Sequence, residues 1–551
     1  MSRASDIINR AAHKPNLATR RAFIQSAGAG GLVLALARAR KAHGAIFGFL
    51  GGSPGTAFSG FYPAGHWIAA KQSLLQIYPI QDASTSSWAP HQFAYWDGTA
   101  GVQYRRSVVP AFGAFPFVFQ LMDGPPGMTL GATIWDSSWN CGGTAPAAAD
   151  YGKVLWTPTG TVTNQQVWVR VYGQDKLYLD FKWTVSTSDA VANGGVFVFV
   201  DNVNGSSSNP GTLASPYDSL TTACGSTYST AKNAGAIVYV RGSTTAYAMP
   251  AYSDNTLNTS LPYFELNGAT KPSAIIGYPG ETATLDATTA MLAFTGADSL
   301  IQDLSASGYI STVANYKLIT HVANRQTVDS VAWSGGGYGS TGTSVPGMMG
   351  SADLGAGSDI YDIAHVGCSD NDHESGFPGN NYSGCVMYSV NGYACYYCEA
   401  VSPSATSDGA WYMKSSIQNG SMGACLAKFS SCTHAFDFGQ QPSGETMANS
   451  ESRFNTGLGV AALDAPSVSG TGPLWVYRNS LNSGSGHGLF TAVSSAAYWD
   501  ANAVQSTVSQ PDGGGTTGIA NLTATSGLFN SDGTLTSAYS GDVGLKGAQI
   551  A

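Results

Sequence analysis

The sequence predicts an all-β protein whose larger part is a right-handed parallel β-helix, a solenoid, preceded by a β-sandwich domain. Three observations predict it. Charged residues make up 11% of the 551-residue chain and glycine alone numbers 68, whereas an average soluble domain is roughly 25% charged. Short apolar strands recur at intervals of roughly 20–35 residues, each closed by a Gly/Ser/Asn turn, which is the period of a stacked repeat. A strand, a run of turn residues and a short helix-forming stretch stand together at 196–234, where a solenoid needs a cap over its exposed apolar end.

The elements follow in chain order. Residues 1–44 hold Thr19-Arg20-Arg21-Ala22-Phe23-Ile24, a mildly apolar stretch from Ser26 to Ala37, and then Arg38, Arg40 and Lys41. This resembles a twin-arginine export signal, and it implies an exported protein, periplasmic, cell-surface or secreted. The apolar stretch is far below the ~20 residues that a spanning helix needs, and no other segment reaches that length, so no transmembrane segment is expected. Residues 45–65 read as a Gly-rich linker.

The formal charge of −9 conceals an asymmetry: the first 44 residues carry eight Lys/Arg and one Asp, leaving 17 basic and 33 acidic residues in the remainder, a net of −16. So acidic a body, with no local basic patch, excludes nucleic acid as a partner.

Between 66 and 187, Phe115-Pro-Phe-Val-Phe-Gln-Leu and Gln166-Val-Trp-Val-Arg-Val-Tyr alternate as half-buried strands do. Pro126-Gly-Met-Thr-Leu, Gly152-Lys-Val-Leu-Trp-Thr-Pro-Thr and Val167-Trp-Val-Arg-Val resemble the immunoglobulin-like, cadherin-like repeat of bacterial surface proteins. The resemblance implies a non-catalytic β-sandwich.

The β-helix is expected over 195–551. Its opening, Val196-Phe-Val-Phe-Val-Asp-Asn-Val-Asn-Gly followed by Asn209-Pro-Gly-Thr and Pro216-Tyr, resembles pectate-lyase-like parallel β-helix proteins. There, an apolar strand, an Asn-Gly turn and a Pro-aromatic pair precede the capping helix, here expected over Leu220–Ala234. Ala236-Ile-Val-Tyr-Val-Arg-Gly is the first full rung, and Ala274-Ile-Ile-Gly-Tyr, Ile360-Tyr-Asp-Ile-Ala-His-Val and Leu474-Trp-Val-Tyr-Arg-Asn continue the series.

Of the eight cysteines, Cys368, Cys385, Cys395, Cys398, Cys425 and Cys432 cluster. Cys395-Tyr-Tyr-Cys398 lacks a second pair of matching spacing, so it reads as core packing or an occasional disulfide rather than zinc.

Chemistry is expected along one edge. Matching rungs on Cys368, Val401, Cys432, Phe454 and Leu481 makes the turns after them equivalent. Those turns carry Asp370, Asp372, His373 and Glu374, then Asp408, then His434 and Asp437, then Asp464, then His487. Rungs stack roughly 4.8 Å apart, so their side chains would converge. Such a stack suits a carboxylate pair with one pKa raised by its neighbour, and equally calcium, which takes several oxygen ligands. Single Asp and Asn residues also serve simply as turn formers; three acids and a His within five residues exceed that need. An EF-hand is excluded because Ser375 stands where the glycine belongs and the closing Glu is missing.

Lyases of the resembled fold use a cationic base beside a uronate, which implies Lys428 and Arg453 as catalytic candidates; snorkelling to solvent is their ordinary alternative. Trp333, Tyr382, Trp411 and Tyr412 are candidates for stacking on sugar rings, with His434 as a further substrate contact. The Arg-x-Pro-x-x-Arg signature of pectate lyases is absent, and Gly486-His487-Gly488 lacks the paired Asp that accompanies it in polygalacturonases. The reading is a secreted enzyme that cleaves an extracellular polysaccharide, as glycoside hydrolase or polysaccharide lyase. The alternative is a non-catalytic glycan-binding surface protein or adhesin.

Overall fold

Residues 73–551 form one compact unit in this computed structural model. The described residues lie between 76 and 536: most of 101–131, 153–187 and 197–250, then from 263 onward the strands and adjoining turns. The leader and the linker lie outside them.

The region before 187 is antiparallel. Val118–Asp123, Gln165–Tyr172 and Tyr178–Val185 make one three-stranded sheet; Tyr104–Ser107, Lys153–Trp156 and Thr129–Leu130 make another. The alternation read at 166–172 is real. Val167, Val169 and Val171 are fully buried, while Arg170 reaches across the sheet to Asp180 at 2.7 Å, the pairing expected of opposed charges on one face.

From Phe197 on, every strand pairing is parallel, and the chain visits three sheets in turn. Sheet A runs from Phe197–Val200 to Ala497–Asp500, sheet B from Tyr247–Ala248 to Leu522–Ala524, and sheet C from Tyr263–Leu266 to Asp512–Gly513. Each strand pairs with its equivalents one rung before and after, as Ile301 does with Ile275 and Val328. This is the parallel β-helix.

Register turns the helix into columns. Val198, Val238, Ile275, Ile301, Val328, Cys395, Met422, Val476 and Trp499 line the inside of sheet A and are buried. From Ser299–Gln302 on, the bend from A to B is only two residues long. Its first residue is left-handed in three successive rungs, Asp303 (φ 53), Ser330 (φ 54) and Gly367 (φ 61). Its second residue is buried: Leu304, Val331, Cys368, Cys398 and Cys425, later Asn479 and Asn502. The two asparagines stack, the Asn479 amide donating to Asn502 Oδ1 at 3.0 Å and to Ser452 O at 3.1 Å, and Asn502 Nδ2 donating to Val476 O at 3.0 Å.

The cap forms where expected. Asp201 Oδ1 accepts from the Val203 and Asn204 amides at 2.9 Å, the turn that Asp side chains favour. A Cβ at Gly205 would stand 2.1 Å from Tyr217 O, so no other residue fits the Asn-Gly position. Ser219 Oγ accepts from the Thr222 amide at 3.1 Å and starts the helix. The described helix is Leu220–Cys224, and Leu220, Ala223 and Cys224 close the apolar end behind Val198 and Val200.

Candidate functional site

A substrate site on a three-sided solenoid must lie on one of three outer faces, and the antiparallel region closes one of them. Tyr239, Gln302, Asp329, Val366 and Tyr396 lie in one column of sheet A outside the core column, yet each is at most 3% exposed. The strand Pro79–Asp82 lies against Ile360–Val366, and Pro110–Phe112 lies against Gln418–Gly423.

The contact is electrostatic where Tyr104–Ser107 and Lys153–Trp156 meet the A-to-B bends. Arg105 Nη1 donates to Asp303 Oδ2 at 2.8 Å, and Ser107 Oγ donates to Asp329 Oδ2 at 2.6 Å. Lys153, wholly buried, lies 3.1 Å from Asp329 and 3.8 Å from Asp303 and donates to Ser330 Oγ at 2.8 Å. Burial pushes both carboxyls up. At Asp329, Lys153 with the Ser107 and Ser330 hydroxyls outweighs burial and holds it below the usual range. At Asp303 burial prevails over Lys153 and Arg105, and the nearby Asp329 adds to it. Lys153 and Arg105 pair with the two carboxylates, and a third buried cation, Arg106, lies within the field of Asp329. The cluster is shared between distant parts of the chain and structural in character.

Inside sheet A lies a second polar chain. His321 Nδ1 is 2.8 Å from Gln326 Oε1, His321 Nε2 is 2.9 Å from His365 Nε2, and His365 Nδ1 is 3.0 Å from Tyr393 Oη. One proton order satisfies all three contacts: Tyr393 donates to His365, His365 to His321, and His321 to Gln326. Both rings must then be neutral. Burial holds His321 down at about 4 and, with His321 adding to it, holds His365 well below its ordinary value.

The expected site residues do not share one edge. Asp370 and Lys428 lie in sheet B, Arg453 in sheet A, and Tyr412, His434 and Asp437 in sheet C. Cys368 is equivalent to Cys398 and Cys425, each standing just before a sheet B strand, and not to Val401 or Phe454. Matching rungs on apolar ends mixed the bends with the strands. Trp333 and Trp411 need a further correction. They are 2% and 1% exposed and belong to the core, so neither offers a ring face to a sugar. Asp372, His373, Glu374, Tyr382 and Asp408 lie outside the described residues.

What register does bring together is a run in sheet C. Tyr412 pairs with Asp437, Asp437 with Asp464, Asp464 with Phe490 and Phe490 with Asp512. Two carboxylate residues stand on successive rungs between two aromatic ones. The column one residue earlier contains Trp411 and Phe436, both buried. Lys414 stands two residues beyond Tyr412 in the same strand. Phe490, Asp512 and Lys414 had no part in the expected site, because only the pairing of strands 22–27 residues apart assembles the run.

No protein-family model matches the chain, and no curated protein matches it. Similar solved structures include a rhamnogalacturonan lyase, 15% identical with a TM-score of 0.41, covering 62% of this chain and 95% of its own. A GH136 lacto-N-biosidase from Eubacterium ramulus is 10% identical at a TM-score of 0.29, over 59% and 67% of the two chains. A Yersinia enterocolitica family 28 exopolygalacturonase is 8% identical at 0.26, over 82% and 98%. The fold of this chain rests on its own parallel pairings. Among the described residues no helix is long and apolar enough to cross a membrane.

Proposed function

We propose that the chain is an exported glycan-active enzyme whose site is the sheet C run Tyr412, Asp437, Asp464 and Phe490. The register of those four residues carries the reading. Positions alternate between the two faces of a strand, and Trp411 and Phe436 are core, which gives this column the outer face. Their strands stack one rung apart, roughly 4.8 Å, which sets two acidic residues on neighbouring rungs as the acid and the base or nucleophile of the proposed reaction. Glycosidic cleavage uses such a pair. The acid protonates the leaving oxygen, and the carboxylate attacks the sugar carbon or activates water. Aromatic residues at both ends suit stacking on sugar rings. Hydrolysis is favoured over elimination because two acids, rather than a cation, occupy the centre. The groups of Asp370–Glu374 and Asp408 are proposed as further contributors, with calcium as a candidate ion for them.

A polysaccharide panel tests this. Asp437→Asn and Asp464→Asn should each lower cleavage at least ~10²-fold with the circular dichroism unchanged; full activity in both variants removes the site. New reducing ends without unsaturated sugars indicate hydrolysis, and unsaturated ends indicate elimination. Tight binding with neither makes the chain a glycan-binding surface protein. Asp372→Asn and Glu374→Gln in the same assay separate the second group from the first.

A further inference from the structure

We propose that Cys395 and Cys425 form a disulfide that ties two successive rungs together from inside the β-helix. Cys368, Cys398 and Cys425 occupy the buried position of three successive A-to-B bends, and Cys395 lies in the sheet A strand just before the second of them. Cys395 Sγ and Cys425 Sγ are 3.6 Å apart. The Cys398 thiol also interacts with Cys368, Cys395 and Cys425, so four sulfurs share one region of the core.

Core packing accounts for small apolar residues there, as Leu304 and Val331 show two bends earlier, but not for four sulfurs in contact. A metal does not account for them either. Among the described residues no three Cys, His, Asp or Glu side chains are arranged to hold an ion. The stack Cys368, Cys398, Cys425 also extends over three rungs, too long for one tetrahedral centre. Directly stacked cysteines keep their Cβ atoms about one rung, ~4.8 Å, apart, beyond the roughly 3.5–4.5 Å that a disulfide spans. Cys395 and Cys425 are not stacked. Cys395 projects from a strand and Cys425 from the bend of the next rung, and their sulfurs already meet.

The bond forms by exchange. The two thiols give up two protons and two electrons, and a small-molecule disulfide such as oxidised glutathione is cleaved to two thiols as the protein S–S bond is made. Burial raises the Cys425 thiol well above its ordinary range, so the closed core exchanges slowly and the bond is made while these rungs assemble.

Tryptic cleavage makes the test direct, because the peptide 415–428 carries a single cysteine, Cys425. The full chain is refolded in a mixture of reduced and oxidised glutathione, alkylated in denaturant and digested. The alkylated peptide 415–428 should be nearly absent and should return on reduction. Chymotryptic cleavage after Tyr396 then separates Cys395 from Cys398 and should leave the fragment ending at Tyr396 as Cys425's partner. Cys395→Ala should restore alkylated 415–428, and Cys398→Ala should not. Abundant alkylated 415–428 in the refolded protein, or linkage to the fragment carrying Cys398, overturns the assignment; both readings come from the unmodified chain and do not depend on a variant folding.

Discussion

Two polar clusters flank the same stretch of sheet A, one outside it and one within, and they handle charge in opposite ways. Outside, Lys153 and Arg105 reach Asp303 and Asp329 from 150 to 198 residues of chain away. These ions survive burial because Lys153 and Arg105 each find a carboxylate. Inside, His321 and His365 meet between Gln326 and Tyr393, and burial keeps both rings neutral. A wall only one strand thick thus supports charge on its covered outer face and rejects it in the lumen. The difference is one of partners, since both places are dry.

Breaking the outer cluster has the largest expected effect. Lys153→Met leaves Asp329 charged and buried, and should cost ~3–5 kcal/mol, read as a lower urea midpoint. Adding Asp329→Asn should recover much of that loss; a double variant as unstable as Lys153→Met would mean that the lysine acts by packing and not by charge. Acid should break the inner cluster. His321 and His365 bind protons in the unfolded chain near pH 6.5, but when folded burial lets His321 do so only at about 4 and holds His365 well below its ordinary value. The unfolded state therefore takes up more protons in that window, and stability is full above about 6.5. It declines as pH falls from 6.5 towards 4, by on the order of 3 kcal/mol for His321 alone. A midpoint that stays flat from pH 7 to 4.5 would overturn the neutral-ring account. Asn479→Ala, which removes a buried amide from Ser452 O and Asn502, should cost ~1–3 kcal/mol. Tyr393→Phe should cost the least, ~0.5–1.5 kcal/mol, and should shift the acid transition because His365 loses its donor.

The cap was legible because its signals are local. Asp201, Asn204 and Ser219 each act within a few residues of themselves, and Gly205 within a dozen. The strands were legible as apolar runs, and the cysteines as core. The proposed sheet C run was not, because it depends on register. From Gln302 on, the A-to-B bend is two residues long with no fixed residue type, Asp, Ser or Gly being left-handed and Leu, Val, Cys or Asn buried. Counting rungs by apolar ends therefore slipped, and it scattered Asp370, Lys428, Arg453 and Asp437 over three sheets. Trp333 and Trp411 were misjudged because strands this short do not show which parity faces in. The pairing of Lys153 with Asp329 crosses 176 residues and leaves no local trace at all.

The docking of the antiparallel strands also sets which lengths the solenoid can evolve. Arg105 and Ser107 are two residues apart on one strand and reach carboxylates on two adjoining turns of the helix, so this clasp measures the helical repeat. Duplicating or deleting a turn between Asp303 and Asp329 would move one carboxylate by a full layer and unfasten the clasp. Among the described residues no ion pair from the antiparallel strands reaches the turns past Gly423, and there a descendant could gain or shed layers, with the carboxylate run among them, without unfastening the clasp.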